Sequence, residues 1–283
     1  MIVDDKDIIA IDLFAGAGGL VEGLQAAGIR VVLAQELHPQ PSLTHAFNHP
    51  GTSVMVGDVR QLDVLDMERL LRSLIGDRGV DIITGGPPCQ GFSSAGKKDA
   101  HDPRNSLINE FCRVVSHFRP KMILLENVPG FKKSYSGKAY NEAVSGLSAL
   151  GYALSDMEIN AADYGIPQKR QRFVMVGTRT DLDLTFVWQS PTHRNPGKTV
   201  VNLLEAGLLP GATVIDALGD LAFTQPGFEA HRQAILPHSG YARERRGECD
   251  LLFNHLTTRH REKAQVMFRH IPEGGTISQV PED

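Results

Sequence analysis

The firmest constraint on the fold is a repeated phase between short apolar runs and the residues that end them. Runs suited to buried strands occur at Ile8 to Phe14, Arg30 to Ala34, Ser53 to Val56, Val80 to Thr84 and Lys121 to Leu125. Helical patterns lie between several of them. Leu20 to Ala27 is closed by Gly28, Asp63 is placed to cap a helix whose apolar face carries Leu62, Leu70, Leu71 and Leu74, and Asn105 to Phe118 precedes Pro120. Strands joined by helices form a parallel sheet through right-handed crossovers, so all five carboxyl ends share one edge. That edge then receives Phe14, Glu36, Asp58, Cys89 and Glu126. In open α/β sheets it is also the edge at which ligands bind.

Each strand end has its own chemistry. The first run, interrupted by Asp12, leads into Ala15-Gly16-Ala17-Gly18-Gly19, a turn that lets a ligand approach the backbone and the next helix N-terminus. Its spacing is not the strict G-x-G-x-x-G, and a tight turn without a ligand would read the same way. Glu36 lies close to the offset of ~20 residues at which such sites place a carboxylate on a ribose hydroxyl. The fourth run leads into Gly85-Gly86-Pro87-Pro88-Cys89-Gln90-Gly91-Phe92-Ser93. Two glycines permit a sharp turn and two prolines stiffen the path, which suits a nucleophile held in place. A lone cysteine is more often buried packing, and the neighbouring strand ends tip the balance toward chemistry. Lys97 and Lys98 could meet phosphates, and Arg170 and Arg172 would point the same way on an extended chain.

Composition narrows the class. The 283 residues are 41% hydrophobic and 22% charged, which suits a globular protein with a sizeable core. No apolar run reaches the roughly 20 residues of a membrane helix, and the acidic N-terminus lacks the form of a signal peptide. A cytoplasmic location follows as an expectation, with no membrane partner. Three widely spaced cysteines, Cys89, Cys112 and Cys249, suggest a reducing compartment, and none is spaced for a metal site. A net charge of −4 means that any nucleic-acid contact must come from a local patch. After about Ser190 the signals weaken, which divides the chain into residues 1–188 as a catalytic domain and 189–283 as a C-terminal segment.

Four segments in order resemble the DNA (cytosine-5) methyltransferase family. Asp12 to Gly19 is similar to its first motif, Gly86 to Ser93 to its catalytic loop, Glu126-Asn127-Val128 to the motif of its catalytic acid, and Gln168 to Arg172 to its arginine motif. The resemblance implies a Rossmann-like sheet with helices on both faces and an added antiparallel hairpin, the latter in keeping with a late strand at Phe173 to Val176. It implies S-adenosylmethionine as methyl donor, leaving S-adenosylhomocysteine, and double-stranded DNA as substrate within a restriction-modification or related system. In the cofactor pocket Phe14 would stack near the adenine, and Ala15, Gly16 and Gly18 would bring backbone to the methionine part. Glu36 would take the ribose hydroxyls with Leu37 beside the adenine. Asp58 would accept from the adenine amino group, with Val59 flanking it and Leu107 as a further contact. Cys89 would attack a flipped-out cytosine, Glu126 would protonate it, and Arg170 and Arg172 would hold it.

The family's pattern continues into a variable target-recognition region and two closing motifs, the last with a Gln-x-x-Gly-Asn signature. Neither closing motif occurs here. The implied arrangement is a split enzyme, in which a second subunit supplies recognition and the closing motifs; a truncated chain and a degraded gene are the alternatives. Rival readings are a catalytically incomplete cofactor-binding scaffold, a tRNA cytosine-5 methyltransferase and an NAD-dependent oxidoreductase. The last leaves Cys89, Glu126 and Arg170 without a joint purpose.

Overall fold

A computed structural model describes residues 6–88, 107–133, 137–194, 207–223, 227–272 and 274–280. They fall into two units: residues up to Ala161 with Arg170–Ser190, and Ala162–Lys169 with the residues from Pro191 onward.

The first unit is built on a seven-stranded mixed sheet. Its first elements are β1 (Ile8–Leu13), α1 (Gly19–Ala26), β2 (Ile29–Glu36), α2 (Pro39–Asn48), β3 (Ser53–Val56) and α3 (Val64–Ile75). Next come β4 (Ile82–Gly85), α4 (Leu107–Phe118), β5 (Met122–Asn127), α5 (Lys138–Ala149), β6 (Tyr152–Asn160) and β7 (Gln171–Arg179). The strand order is β3-β2-β1-β4-β5-β7-β6. β1 to β5 run parallel, while β7 is antiparallel to both β5 and β6. Strand order reverses at β1, between β2 and β4, which is the switch point where doubly wound sheets open a crevice.

Alternation along β1 shows why helices cover both faces. Successive side chains point to opposite sides of a strand. Ile9, Ile11 and Leu13 join a cluster with Met67 and Leu71 of α3, Phe111 and Val114 of α4, and Ala143 and Leu147 of α5. Ala10 points the other way and packs with Val21 and Leu24 of α1 and with Val31. Asp63 caps α3 as its sequence context predicts, accepting from Leu65 N at 2.9 Å. α2 has no counterpart among the helical patterns legible in the sequence.

Among its described residues the second unit has little regular structure: two short two-stranded sheets (β8, His193–Arg194, with β9, Leu209–Pro210; and β10, Glu229–Arg232, with β11, Leu251–Leu256) and three α-helices. The helices are α6 (Val214–Leu218), α7 (Gly240–Arg246) and α8 (Glu262–Arg269). A fully buried carboxylate ties part of it together, since Asp220 accepts from Gln233 Nε2 at 2.6 Å and from Arg246 Nε at 3.1 Å.

Candidate active site

The glycine turn begins with an unusual backbone. Phe14, the residue after β1, has φ of 58°. That left-handed conformation costs an aromatic residue about 1–3 kcal/mol, and such strain gathers at functional sites. The turn is pinned on its far side, where Ala15 N donates to Gln35 O at 2.9 Å and Gly18 N donates to Ala15 O at 3.0 Å. Glu36, at the end of β2, closes it: Gly16 N donates to its Oε2 and His38 N to its Oε1, both at 2.9 Å. Gly16 also has a positive φ, and a Cβ built on it would meet nothing within 4 Å among the described residues. The turn therefore presents an open face next to a carboxylate.

The remaining residues assigned to the cofactor pocket lie on nearby segments. Leu37 is exposed, while Val59 and Leu107 are buried. Asp58 follows β3 and caps a short 3-10 turn, accepting from Arg60 N at 3.0 Å. The Arg60 guanidinium also grips it, with Nε at 3.0 Å from Oδ1 and Nη2 at 2.5 Å from Oδ2, which holds the Asp58 carboxyl below the usual carboxylate range.

The catalytic side follows from the reversed direction of β7. Because β7 is antiparallel, its first residues lie beside the end of β5, with Phe173 opposite Asn127. Arg172 Nε consequently sits 2.7 Å from Glu126 Oε1. Arg170 lies just before the strand with an exposed side chain, its backbone N donating to Asn160 Oδ1 at 3.0 Å. A Cβ built on Gly86 would lie 3.2 Å from Glu126 Oε2, so only a glycine leaves that carboxylate undisturbed. Asn127 Nδ2 donates to Pro87 O at 3.1 Å, tying the segment that leads to position 89 onto β5. Cys89, Lys97 and Lys98 lie outside the described residues. Cys112, on α4, is a poor rival nucleophile, because burial pushes its thiol up to about 11.

Several polar residues of this edge escape sequence reasoning. Asp12 is almost fully buried in β1, accepts from Thr84 Oγ1 at 2.6 Å, and has no partner for Oδ2 among the described residues. Burial pushes its carboxyl up to about 7 against the opposing pull of the Thr84 bond. Its traces in the sequence are the break in an apolar run and its place at the head of the segment Asp12 to Gly19. Gln35, also buried, donates from Nε2 to Gly57 O at 2.6 Å and so braces the segment after β3 against the glycine turn. No sequence signal marks it.

Comparisons with known proteins agree with this geometry. The model of the C-5 cytosine-specific DNA methylase family matches residues 8–263. The type II methyltransferase M.DdeI of Desulfomicrobium norvegicum is 35% identical over 276 residues, covering 96% of this chain and 63% of that protein. M1.HphI of Haemophilus parahaemolyticus is likewise 35% identical, over 96% of this chain and 63% of its own length. The chain thus spans less than two thirds of these relatives. M.AquIA of Picosynechococcus is 38% identical over 76% of this chain and 90% of its own length. Among solved structures, one described as a DNA modification methyltransferase encoded within an E. coli prophage superposes with a TM-score of 0.69 at 28% identity. It covers 88% of this chain and 66% of that one. The S. pombe Dnmt2 methyltransferase shares the fold, with a TM-score of 0.50 at 24% identity over 65% of this chain and 52% of its own. No helix among the described residues is long and apolar enough to cross a membrane. The family match spans the whole seven-stranded sheet, and the chain belongs to the C-5 cytosine-specific DNA methylase family.

Proposed function

We propose that the chain carries the donor-binding and catalytic part of an enzyme that methylates carbon 5 of cytosine in DNA. The observation that carries this reading is the pairing of Glu126 with Arg172 on the strand edge that also bears the glycine turn and Glu36. A carboxyl and a guanidinium held together beside a stiff Pro-Pro-Cys segment suit acid-assisted attack on a pyrimidine ring. S-adenosylmethionine fits the other half of the edge. The open face at Gly16 leaves room for its methionine part, and the carboxylate of Glu36 provides an acceptor for ribose hydroxyls. When bound, it supplies an electrophilic methyl group. Asp58 serves the adenine amino group in this reading once Arg60 releases one of its oxygens.

The roles of the residues follow from the chemistry of cytosine. Carbon 5 is a weak nucleophile. Addition of the Cys89 thiolate to carbon 6 forms a carbon–sulfur bond and turns carbon 5 into the end of an enamine. Glu126 in its protonated form donates to ring nitrogen 3, which offsets the charge that the attack delivers. Arg172 keeps the Glu126 carboxyl aimed, and Arg170 and Arg172 hold the ring. After carbon 5 has gained its methyl group it loses its proton to a base, the carbon–sulfur bond breaks, and the thiolate leaves. Attack comes at the ring face, so the nucleotide must leave the duplex stack.

The reading includes a second polypeptide that provides target recognition and completes the donor pocket. Support comes from the second unit, in which Ala162, Asp220 and Ala242 are the only buried residues among those described, while Val214, Ile215, Leu236, Phe253 and Leu256 are exposed. Exposed apolar side chains of this kind would suit a face that a partner covers. The test is methyl transfer to unmethylated DNA by the purified chain, alone and mixed with the product of the neighbouring reading frame. Transfer by the mixture only is the expected result. Transfer by the chain alone would remove the second subunit from the account, and no transfer in either case would remove the enzymatic reading.

A further inference from the structure

α2 turns its polar side inward. Its buried residues are Ser42 and His45, and His49, which caps its C-terminus, is buried too, while Leu43 and Phe47 are exposed. The two histidines lie directly under the glycine turn. A Cβ built on Gly18, whose φ is 94°, would fall 2.5 Å from His49 Nε2 and 3.3 Å from His45 Nδ1. The rings meet edge to face with centroids 5.1 Å apart. His49 is anchored from α1, its Nδ1 lying 2.8 Å from Gln25 Oε1. Among the described residues neither ring nitrogen of His45 makes a well-formed hydrogen bond, the Gly16 backbone offering only a weaker one, although its solvent exposure is 0%.

A fully buried imidazole without a partner is costly unless it serves something. The Gly16 backbone and the Glu36 carboxylate both act on the His45 ring, and Gly16 N is the group that donates to Glu36. We infer that His45, braced by His49 and Gln25, is a positioning residue for the methyl donor, setting from below the relation between the turn at Gly16–Gly18 and the carboxylate of Glu36. This inference rests on the donor-binding reading given above. It touches no donor atom, because the turn lies between. Gly18 is glycine on this account for two reasons, its left-handed φ and the rings packed where a side chain would stand.

The charged and titratable groups facing His45 are Glu36 from β2 and His49 at the end of its own helix. The turn presents only backbone, and α1 acts through the neutral Gln25. Burial comes first and His49 second in holding the imidazole below its ordinary value of 6.5, so the ring is neutral at neutral pH. Protonation would place a buried cation under a turn that receives a sulfonium, and donor affinity should fall with it.

The test is calorimetric titration of S-adenosylmethionine into the full chain between about pH 7.5 and 5.5. We expect wild-type affinity to fall several-fold toward the acid end. His45→Phe, which keeps a ring but no nitrogen, should bind the donor about tenfold more weakly while its ligand-free melting midpoint stays within a few degrees of wild type. His45→Gln, whose amide can replace one imidazole nitrogen but does not titrate, should regain most of the affinity and lose the pH dependence. Wild-type affinity in His45→Phe would overturn the inference and leave donor binding standing. If that variant does not fold, wild-type affinity in His45→Leu, which also lacks both ring nitrogens, would overturn it equally. Failure of the wild-type chain to bind S-adenosylmethionine at any pH, both alone and mixed with the product of the neighbouring reading frame, would overturn the donor-binding reading, and this inference with it.

Discussion

Asp12 occupies the place in the sheet where a charge is least welcome, between Ile11 and Leu13 and beside Thr84. Its folded-state value of about 7 lies above the ordinary 3.8. Between those values the folded chain holds a proton that the unfolded chain has released. The stability this group contributes is therefore complete below about pH 4 and is lost as pH rises through about 7. Asp12→Asn keeps an oxygen to accept from Thr84 and cannot ionise. Thermal unfolding from about pH 5 to 9 should show the wild-type midpoint declining through neutrality and the variant's holding steady, with a gain on the order of 1–3 kcal/mol at the alkaline end. Parallel profiles would show that Asp12 is neutral throughout or fully solvated. At this scale the sequence speaks unevenly. Glu36, Glu126 and Arg172 stand out because their types and their phase with the strands point to chemistry. Gln35 and His45 do not, because their burial is decided by contacts far along the chain.

Elements are legible where apolar residues face the core, and α2 shows the converse. Pro39 and Pro41 in its first turn are compatible with a helix, since the amides there need no intrahelical partner. Its periodicity is inverted, however, with Leu43 and Phe47 outside and Ser42 and His45 inside, so the rule that locates amphipathic helices finds nothing to follow. β7 is the opposite case, a run from Phe173 to Val176 that is buried on both faces and reads plainly as a strand. Its direction is what matters for the site, and direction is not written in a local apolar run. Because β7 packs between β5 and β6, it tolerates no bulk at Gly177, where a Cβ would fall 2.7 Å from Leu154 Cδ2 and 2.8 Å from Ile123 Cγ1. Gly177→Ala should lower stability by about 1–3 kcal/mol in chemical denaturation, and an unchanged midpoint would mean that Leu154 and Ile123 yield freely.

The whole molecule divides by how much its parts bury. The first unit encloses a continuous core from α3 across the sheet to α5, and its strand ends gather the glycine turn, Glu36, Asp58, Glu126 and Arg172. Among its described residues the second unit buries only Ala162, Asp220 and Ala242, in keeping with a sequence of weak signals punctuated by proline and glycine. The proposed chemistry turns on one sulfur atom, that of Cys89. It is tested most directly by incubating the chain, with its neighbouring-frame partner and S-adenosylmethionine, on DNA containing 5-fluorocytosine, and mapping any denaturation-resistant protein–DNA adduct by mass spectrometry. Fluorine at carbon 5 blocks the final proton loss, so the account predicts a stable bond between Cys89 and the modified base, absent in Cys89→Ser, which should still bind the donor. Continued methylation of ordinary DNA by Cys89→Ser, or an adduct mapped to any other residue, would contradict it.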